Sequence, residues 1–238
     1  MPYGPCSTES QSPAVETFLL GRIAWAQCEE LQQRLVRQVA QRDDGQIVLL
    51  LCEHPEVVTI GRGGSASQVA RQNRLLRSGQ IATHWTNRGG GCMLHAPGQL
   101  AIYPITPLGW HDFSVGEYLH RLQAALADTV HELGVQAQPS AGRFGVWGRT
   151  GQLAALGVAV RDGVAYHGAF LNVAPALGLF RLVETDRVGQ TAMSSLAAER
   201  CGPARMATVR ATLVGHLAAA LGCQRYHLYT GHPWLRRA

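Results

Sequence analysis

The chain contains no lysine: all 21 of its Lys+Arg residues are arginine. Any mechanism that needs a lysine amine from this protein is therefore excluded, and only a partner can supply one. Nor is there an apolar run approaching the ~20 residues that cross a bilayer. The first residues, Met1 to Val15, are Pro/Ser-rich and lack the charged-then-apolar order of a signal peptide. They read as a flexible arm spanning residues 1–15, followed by a single domain over 16–238. The six cysteines are scattered, with no C-x-x-C pair. Neither a disulfide framework nor a zinc cluster is indicated, and a cytoplasmic location is the default.

Charge is modest, at +5. The arginines are dispersed, with no aromatic-basic alternation, so no nucleic-acid partner and no membrane association are expected. A mildly basic surface suits an acidic protein partner.

Periodicity gives three helices. The first covers Ala26 to Gln41, with Cys28, Leu31, Leu35 and Val39 on one face. The second opens at Ser114-Val115-Gly116-Glu117, a capping-box pattern, carries Leu119, Leu122, Leu126, Val130 and Leu133, and stops at Gly134. The third runs from Pro203 through Met206, Val209, Leu213, Leu217 and Leu221 to Gly222. Strand-like stretches lie between them: Phe18–Trp25, Gln46–Cys52, Glu56–Ile60, Ala82–Trp85 and Leu100–Ile105. A later set, Phe144–Trp147, Gln152–Val160 and Val164–Val173, is punctuated by short glycine turns and reads as a meander of hairpins. The expected fold class is α+β, a mixed, largely antiparallel sheet packed with helices.

Three segments are candidates for chemistry. In EHPEVVTIGRG (53–63), two apolar strands run into His-Pro and Gly-Arg-Gly. In RGGGCMLHAPGQL (88–100), three consecutive glycines let the backbone approach a ligand and present its N–H groups. The third is the hairpin run ending YHGAFLNV (166–173). One glycine loop alone is more often a tight turn, and one histidine alone more often structural.

Together and in this order, the segments resemble the octanoyltransferases of lipoate biosynthesis. RGGGCMLHAPGQLAIYPI is similar to that family's signature, EHPEVVTIGR to the segment before it, and GVWGRTGQLAALGVAVRDGVAYHGAFLNV to its later hairpins. The resemblance spans about Leu49 to Leu196. It implies the biotin/lipoate protein ligase-like fold, with an acyl tunnel and no cofactor or metal. It also implies a reaction: octanoyl passes from acyl carrier protein to an enzyme cysteine, then to a lysine of a lipoyl carrier domain. Such carriers are the glycine cleavage H protein and the lipoyl domains of 2-oxoacid dehydrogenases. The implied acyl-binding residues are Arg88, Gly89, Gly90, Gly91, Cys92, Met93, Leu94 and His95, then Ala155, Leu156 and Gly157, then His167, Gly168 and Ala169. A narrow apolar slot for the chain could be walled by Met93, Leu94, Leu156, Val158 and Phe170. The N–H groups around Gly89 to Gly91 could hold a thioester oxyanion.

Two positions depart from the family pattern. Asp186, in Thr185-Asp186-Arg187, stands at the nucleophilic cysteine, and Gln152 at the lysine that activates it. A thiolate attacks a thioester and leaves again readily, whereas a carboxylate would have to form a high-energy anhydride. The family's standard two-step route, through a cysteine at position 186, is therefore expected to be closed. Three alternatives follow. Cys92 could act as nucleophile with His95. Asp186 could serve as general base for direct transfer. The chain could instead be a catalytically inactive paralogue that binds octanoyl groups or lipoyl carriers.

The register yields a test. Asp186→Cys with Gln152→Lys places an ammonium beside a new thiol and should lower its pKa by about one or more units. Octanoyl should accumulate on residue 186 of the double variant, faster than on Asp186→Cys alone, when read by peptide mass mapping. Equal, negligible acylation in both would mean that the two positions do not face one another.

Overall fold

A computed structural model of the chain describes residues 13–69, 76, 78–140, 143–183 and 192–235. The elements are β1 (Ala14–Arg22), α1 (Trp25–Ala40), β2 (Ile47–Glu53), β3 (Val57–Ile60), β4 (Ala82–Trp85), β5 (Cys92–His95) and β6 (Gln99–Pro107). There follow α2 (Val115–Glu132), β7 (Gln138–Ser140), β8 (Arg143–Trp147), β9 (Gln152–Arg161) and β10 (Val164–Asn172). The last are α3 (Leu196–Arg200), α4 (Met206–Ala220) and β11 (Arg225–Thr230), with 3-10 turns at Ala66–Gln68 and Leu177–Leu182. The fold is α+β, as the sequence implies.

Eight strands form one mixed sheet in the order β11-β1-β2-β6-β10-β9-β8-β7. β1 runs parallel to both β11 and β2, while every pairing from β2 to β7 is antiparallel. The β8-β9-β10 hairpins are the expected meander. A second sheet, β4-β3-β5, carries the glycine loop between β4 and β5.

Helices cover both faces of the large sheet, which is why β2 (IVLLLCE) reads as an unbroken apolar run rather than an alternation. Leu49, Leu51, Leu100 and Ile102 pack against Tyr118, Leu122 and Leu126 of α2 and Leu213 and Leu217 of α4. Val48, Leu50, Tyr103 and Phe170 face the other way, onto Leu31, Leu35 and Val39 of α1. No helix among the described residues is long and apolar enough to cross a membrane.

Boundaries shift for local reasons. The first strand begins at Ala14, and Ala14 and Val15 are buried, so the expected arm does not include them. It ends at Arg22 rather than Trp25, because Gly21 (φ +69°) breaks the register and Trp25 opens α1. The last long helix starts at Met206 instead of Pro203. Only half of the capping box forms at α2. Ser114 Oγ accepts from Glu117 N at 3.1 Å, while the Glu117 carboxylate turns to Arg121 at 2.7 Å. An available guanidinium outcompetes one backbone N–H. β5, β7 and β11 are not among the expected strands.

The turn joining β5 to β6 depends on Gly98. Its φ is +88°, and a Cβ there would lie 2.5 Å from the Ala174 carbonyl oxygen. Its own carbonyl accepts from both Val173 N and Ala174 N. Gly98→Ala should therefore destabilise the protein by at least about 1–3 kcal/mol, read as a lower urea midpoint. An unchanged midpoint would contradict this turn geometry.

Candidate acyl-binding site

The glycine loop is held in place from two sides. Below it, Gly61 N donates to Gly91 O, Arg62 N to Arg88 O and Gly63 N to Gly90 O, all at 3.0–3.1 Å. Across from it, Gly89 N donates to Val158 O of β9 at 2.9 Å. That contact requires glycine at 157, where a Cβ would lie 2.4 Å from Gly89 O. The second motif is therefore docked on both the first and the third. Because Gly89 N is committed to β9, it is not available to a ligand. Among the described residues the N–H groups of Gly90 and Gly91 have no partner.

Arg88 is only 4% exposed. Its two terminal nitrogens donate to Gly89 O, Thr59 O and Thr59 Oγ1 at 2.8–3.1 Å, and its Nε has no partner. No described carboxylate pairs with it. Burial lowers its pKa to about 10, so it remains a cation at neutral pH. A buried cation without a counter-ion is costly unless something with negative charge visits it.

From Arg88 a chain of buried hydrogen bonds crosses the site. Thr59 Oγ1 accepts from Arg88 and so donates to His95 Nε2 at 2.8 Å. That fixes the proton on His95 Nδ1, which donates to Gln99 Oε1 at 3.0 Å. Gln99 Nε2 donates to Asn172 Oδ1 at 3.0 Å, and Asn172 Nδ2 to Ser194 O at 3.0 Å. Ser194 N in turn donates to Gln152 O. All three motifs and the Ser194-Ser195-Leu196 segment thus share one network. His95 is a link in it: burial, then the charges of His54 and Arg88, hold its pKa well below the usual histidine value.

A cavity of about 250 Å³ lies beside this network. Of the acyl-binding residues expected from sequence, Arg88, Gly90, Gly91, Cys92, Met93, Ala155, Leu156 and Gly157 line it. Gln152 and Phe170 line it too, as do Phe144 and Trp147, which the sequence reading did not single out. Gly89, Leu94, His95, His167, Gly168 and Ala169 stand behind that lining. Leu94 belongs to a separate core with Val58 and Ile60, and Val158 packs into the α2 side. Strand alternation explains Leu94: Met93 and His95 share one face of β5, and Cys92 and Leu94 the other.

The same alternation separates Cys92 from His95. Cys92 Sγ donates to Ser65 O at 3.3 Å and lies 3.7 Å from Gln68 Oε1, while both His95 nitrogens are engaged elsewhere. Burial raises the Cys92 thiol pKa, only partly offset by the Ser65 contact and Arg88. A Cys92–His95 dyad is not formed. This corrects the expectation that His95 could activate Cys92.

Gln152 is buried, and its amide donates to Ala154 O at 3.1 Å. It sits over Gly145, where a Cβ would meet its Nε2 at 2.8 Å. Asp186 lies outside the described residues. Its segment departs from Val183, which bridges to Val69, and rejoins at Ala192, whose carbonyl accepts from Gln152 N at 2.8 Å.

Residues 25–218 match the family model of the lipoyl protein ligase A/B catalytic domain. This chain belongs to that family. It is 35% identical over 214 residues to the octanoyltransferase of Geobacter metallireducens, covering 90% of this chain and 97% of that one. It is likewise 35% identical to the octanoyltransferase of Chloroflexus aggregans, over 85% of this chain and 92% of the relative. Among solved structures, protein Ta0514 from T. acidophilum with bound lipoic acid superposes with a TM-score of 0.75 at 15% identity. Coverage there is 92% of this chain and 90% of that one. Lipoate-protein ligase A bound with ATP gives 0.74 at 14%, over 92% and 90%. These structures show that the family fold is shared.

His167 supplies a pH test. It sits at φ +57°, with Nε2 bonded to Asn87 Oδ1 at 3.0 Å and Thr86 Oγ1 at 3.3 Å. Burial, then the Arg88 charge, lowers its pKa from 6.5 to about 3. The unfolded chain therefore takes up a proton below about pH 6.5 that the folded chain refuses until about pH 3. This contribution to stability is complete above 6.5 and declines as pH falls through that window. His167→Asn tolerates the left-handed backbone and should show a shallower loss of urea midpoint between about pH 7 and 5. An unaltered pH slope would contradict a neutral, buried His167.

Proposed function

We propose that this protein binds an octanoyl group in the cavity and transfers it from octanoyl-acyl carrier protein to a lysine of a lipoyl carrier domain, without a covalent acyl-enzyme. The observation that carries this reading is the wall of the cavity, where the buried Arg88 cation stands beside Gly90 and Gly91, whose N–H groups have no partner among the described residues. Such donors suit the oxygen of a thioester carbonyl, where negative charge grows as the carbonyl is attacked. Met93, Leu156 and Phe170 offer the apolar surface for the chain.

Direct transfer balances as follows. The carrier lysine, deprotonated, attacks the thioester carbon and forms the amide bond. The carbon–sulfur bond breaks, and the thiolate leaves on acyl carrier protein. The proton shed by the amine passes to a base, the role proposed for Asp186. The partner brings the lysine that this chain lacks. The relatives named octanoyltransferase support an octanoyl group as the cargo, and the work of such a protein fits a cytoplasmic setting.

A second reading has its own support. Gln152 cannot supply the charge of an ammonium, and Cys92 is turned away from the cavity's histidine neighbour. A noncatalytic relative that captures octanoyl or lipoyl groups would need the cavity and neither residue.

Calorimetry with octanoate and butanoate tests what both readings share. Four further buried methylenes contribute about 3 kcal/mol, so octanoate should bind about 200-fold more tightly. Equal affinities would refute an acyl slot. A transfer assay with octanoyl-acyl carrier protein and a lipoyl domain then separates the readings, since only the enzyme modifies the acceptor.

A further inference from the structure

One cluster of potential ligands lies outside the cavity. Cys28 on α1, Cys52 on β2 and His54 just beyond β2 are each at most 1% exposed. Cys28 Sγ and Cys52 Sγ lie 3.9 Å apart, and Cys52 Sγ is 3.7 Å from His54 Nε2. All three donor atoms fall within 4.8 Å of one another. Both cysteines are free thiols. We propose that Cys28, Cys52 and His54 form a structural zinc site that ties the first helix to the central sheet beneath the acyl cavity.

The distances suit zinc. Bonds of about 2.3 Å to sulfur and 2.0–2.1 Å to nitrogen at tetrahedral angles place sulfurs about 3.8 Å apart and sulfur about 3.5 Å from nitrogen. Two of the separations are already within a few tenths of an ångström of those values.

The histidine is also set as a ligand. His54 Nδ1 lies 2.8 Å from the Ile23 carbonyl and donates to it, which leaves Nε2 as the acceptor nitrogen, 3.7 Å from Cys52 Sγ. A second ring nitrogen bonded to a backbone carbonyl is the usual outer support of a metal-bound histidine. Zinc would displace the Tyr103 hydroxyl, which lies 2.8 Å from Nε2 and donates to it.

Charge decides which ion. Two thiolates and a divalent cation sum to zero, which a buried site tolerates, whereas a monovalent ion would leave a net negative charge. Binding releases one proton from each thiol, and the metal takes the two sulfur lone pairs and that of the imidazole. Because all three ligands are buried, loading accompanies folding. The spacing explains why the sequence gives no zinc signal. Cys28 and Cys52 are separated by most of a helix and a turn, and only the fold brings them together.

The test is refolding of the full chain from denaturant, under a thiol-sparing reductant, with zinc or with cobalt(II). About one zinc per chain should survive gel filtration, and the melting temperature should rise relative to refolding with chelator. The cobalt form should show a sulfur-to-metal charge-transfer band of the intensity of two thiolates. Cys28→Ala and Cys52→Ala should each hold less than about a tenth of the wild-type zinc, and Cys223→Ala, a buried cysteine elsewhere, the full amount. The cobalt band of the wild type counts its thiolates directly, so it decides the matter even where a variant fails to fold. Absence of retained zinc and of the band in refolded wild type overturns the site, whether the thiols are recovered free or as a disulfide. So does an undiminished band in Cys28→Ala.

Discussion

The site depends on one buried guanidinium. Arg88 reaches back from the glycine loop to Thr59 O and Thr59 Oγ1 on β3 and to Gly89 O beside it. Those bonds occupy its terminal nitrogens and fix the loop, while its charge stays unpaired among the described residues. The polarity of the neighbouring network follows from this anchor. Because Thr59 Oγ1 accepts from a cation, it must donate to His95, and each later amide or imidazole in the chain is oriented in turn. A connected buried network of this kind favours one arrangement and makes partial arrangements costly. His95, Gln99 and Asn172 are engaged in this network and do not line the cavity.

The consequence for mechanism is a separation of binding from nucleophilic chemistry. The oxyanion donors and the apolar walls do not require a cysteine or a lysine in order to exist. The loop and the walls are held by contacts among β3, β5, β9 and β10 that do not involve the side chain of Gln152. Gln152 keeps its place in the cavity wall through its backbone bonds to Ala192 and Ser194, whatever side chain it carries. On the proposed reading, the acyl slot is kept while the acyl-cysteine step is lost. Direct aminolysis by the acceptor lysine is the route we propose, because a thioester held by oxyanion donors would be the more reactive electrophile.

Much of this was legible in the sequence, and the gaps have physical causes. Helix α1 follows from Cys28, Leu31, Leu35 and Val39, all of which are buried. The meander follows from glycine turns at fixed spacing. The glycine loop and its partner motifs identified the cavity region. The part played by Gln99 and Thr59 was not readable, because a single Gln or Thr in a strand carries no pattern until its partner across the sheet is known. Phe144 and Trp147 look like ordinary strand residues, and only the β8–β9 pairing brings them beside Gln152. Cys92 misled because proximity in sequence to His95 implies a dyad, whereas strand alternation turns the two side chains apart. β11 pairs in parallel with β1, from the opposite end of the chain, and such long-range pairing leaves no local mark.

The central claim is that octanoyl reaches its acceptor without resting on this chain. Intact-mass analysis of wild-type protein, octanoyl-acyl carrier protein and a lipoyl domain, sampled through a single turnover, tests it most directly. The account predicts that the lipoyl domain gains one octanoyl group while this protein shows its unmodified mass at every time point. An octanoyl adduct that builds up on this chain and then decays as the lipoyl domain becomes modified would contradict it.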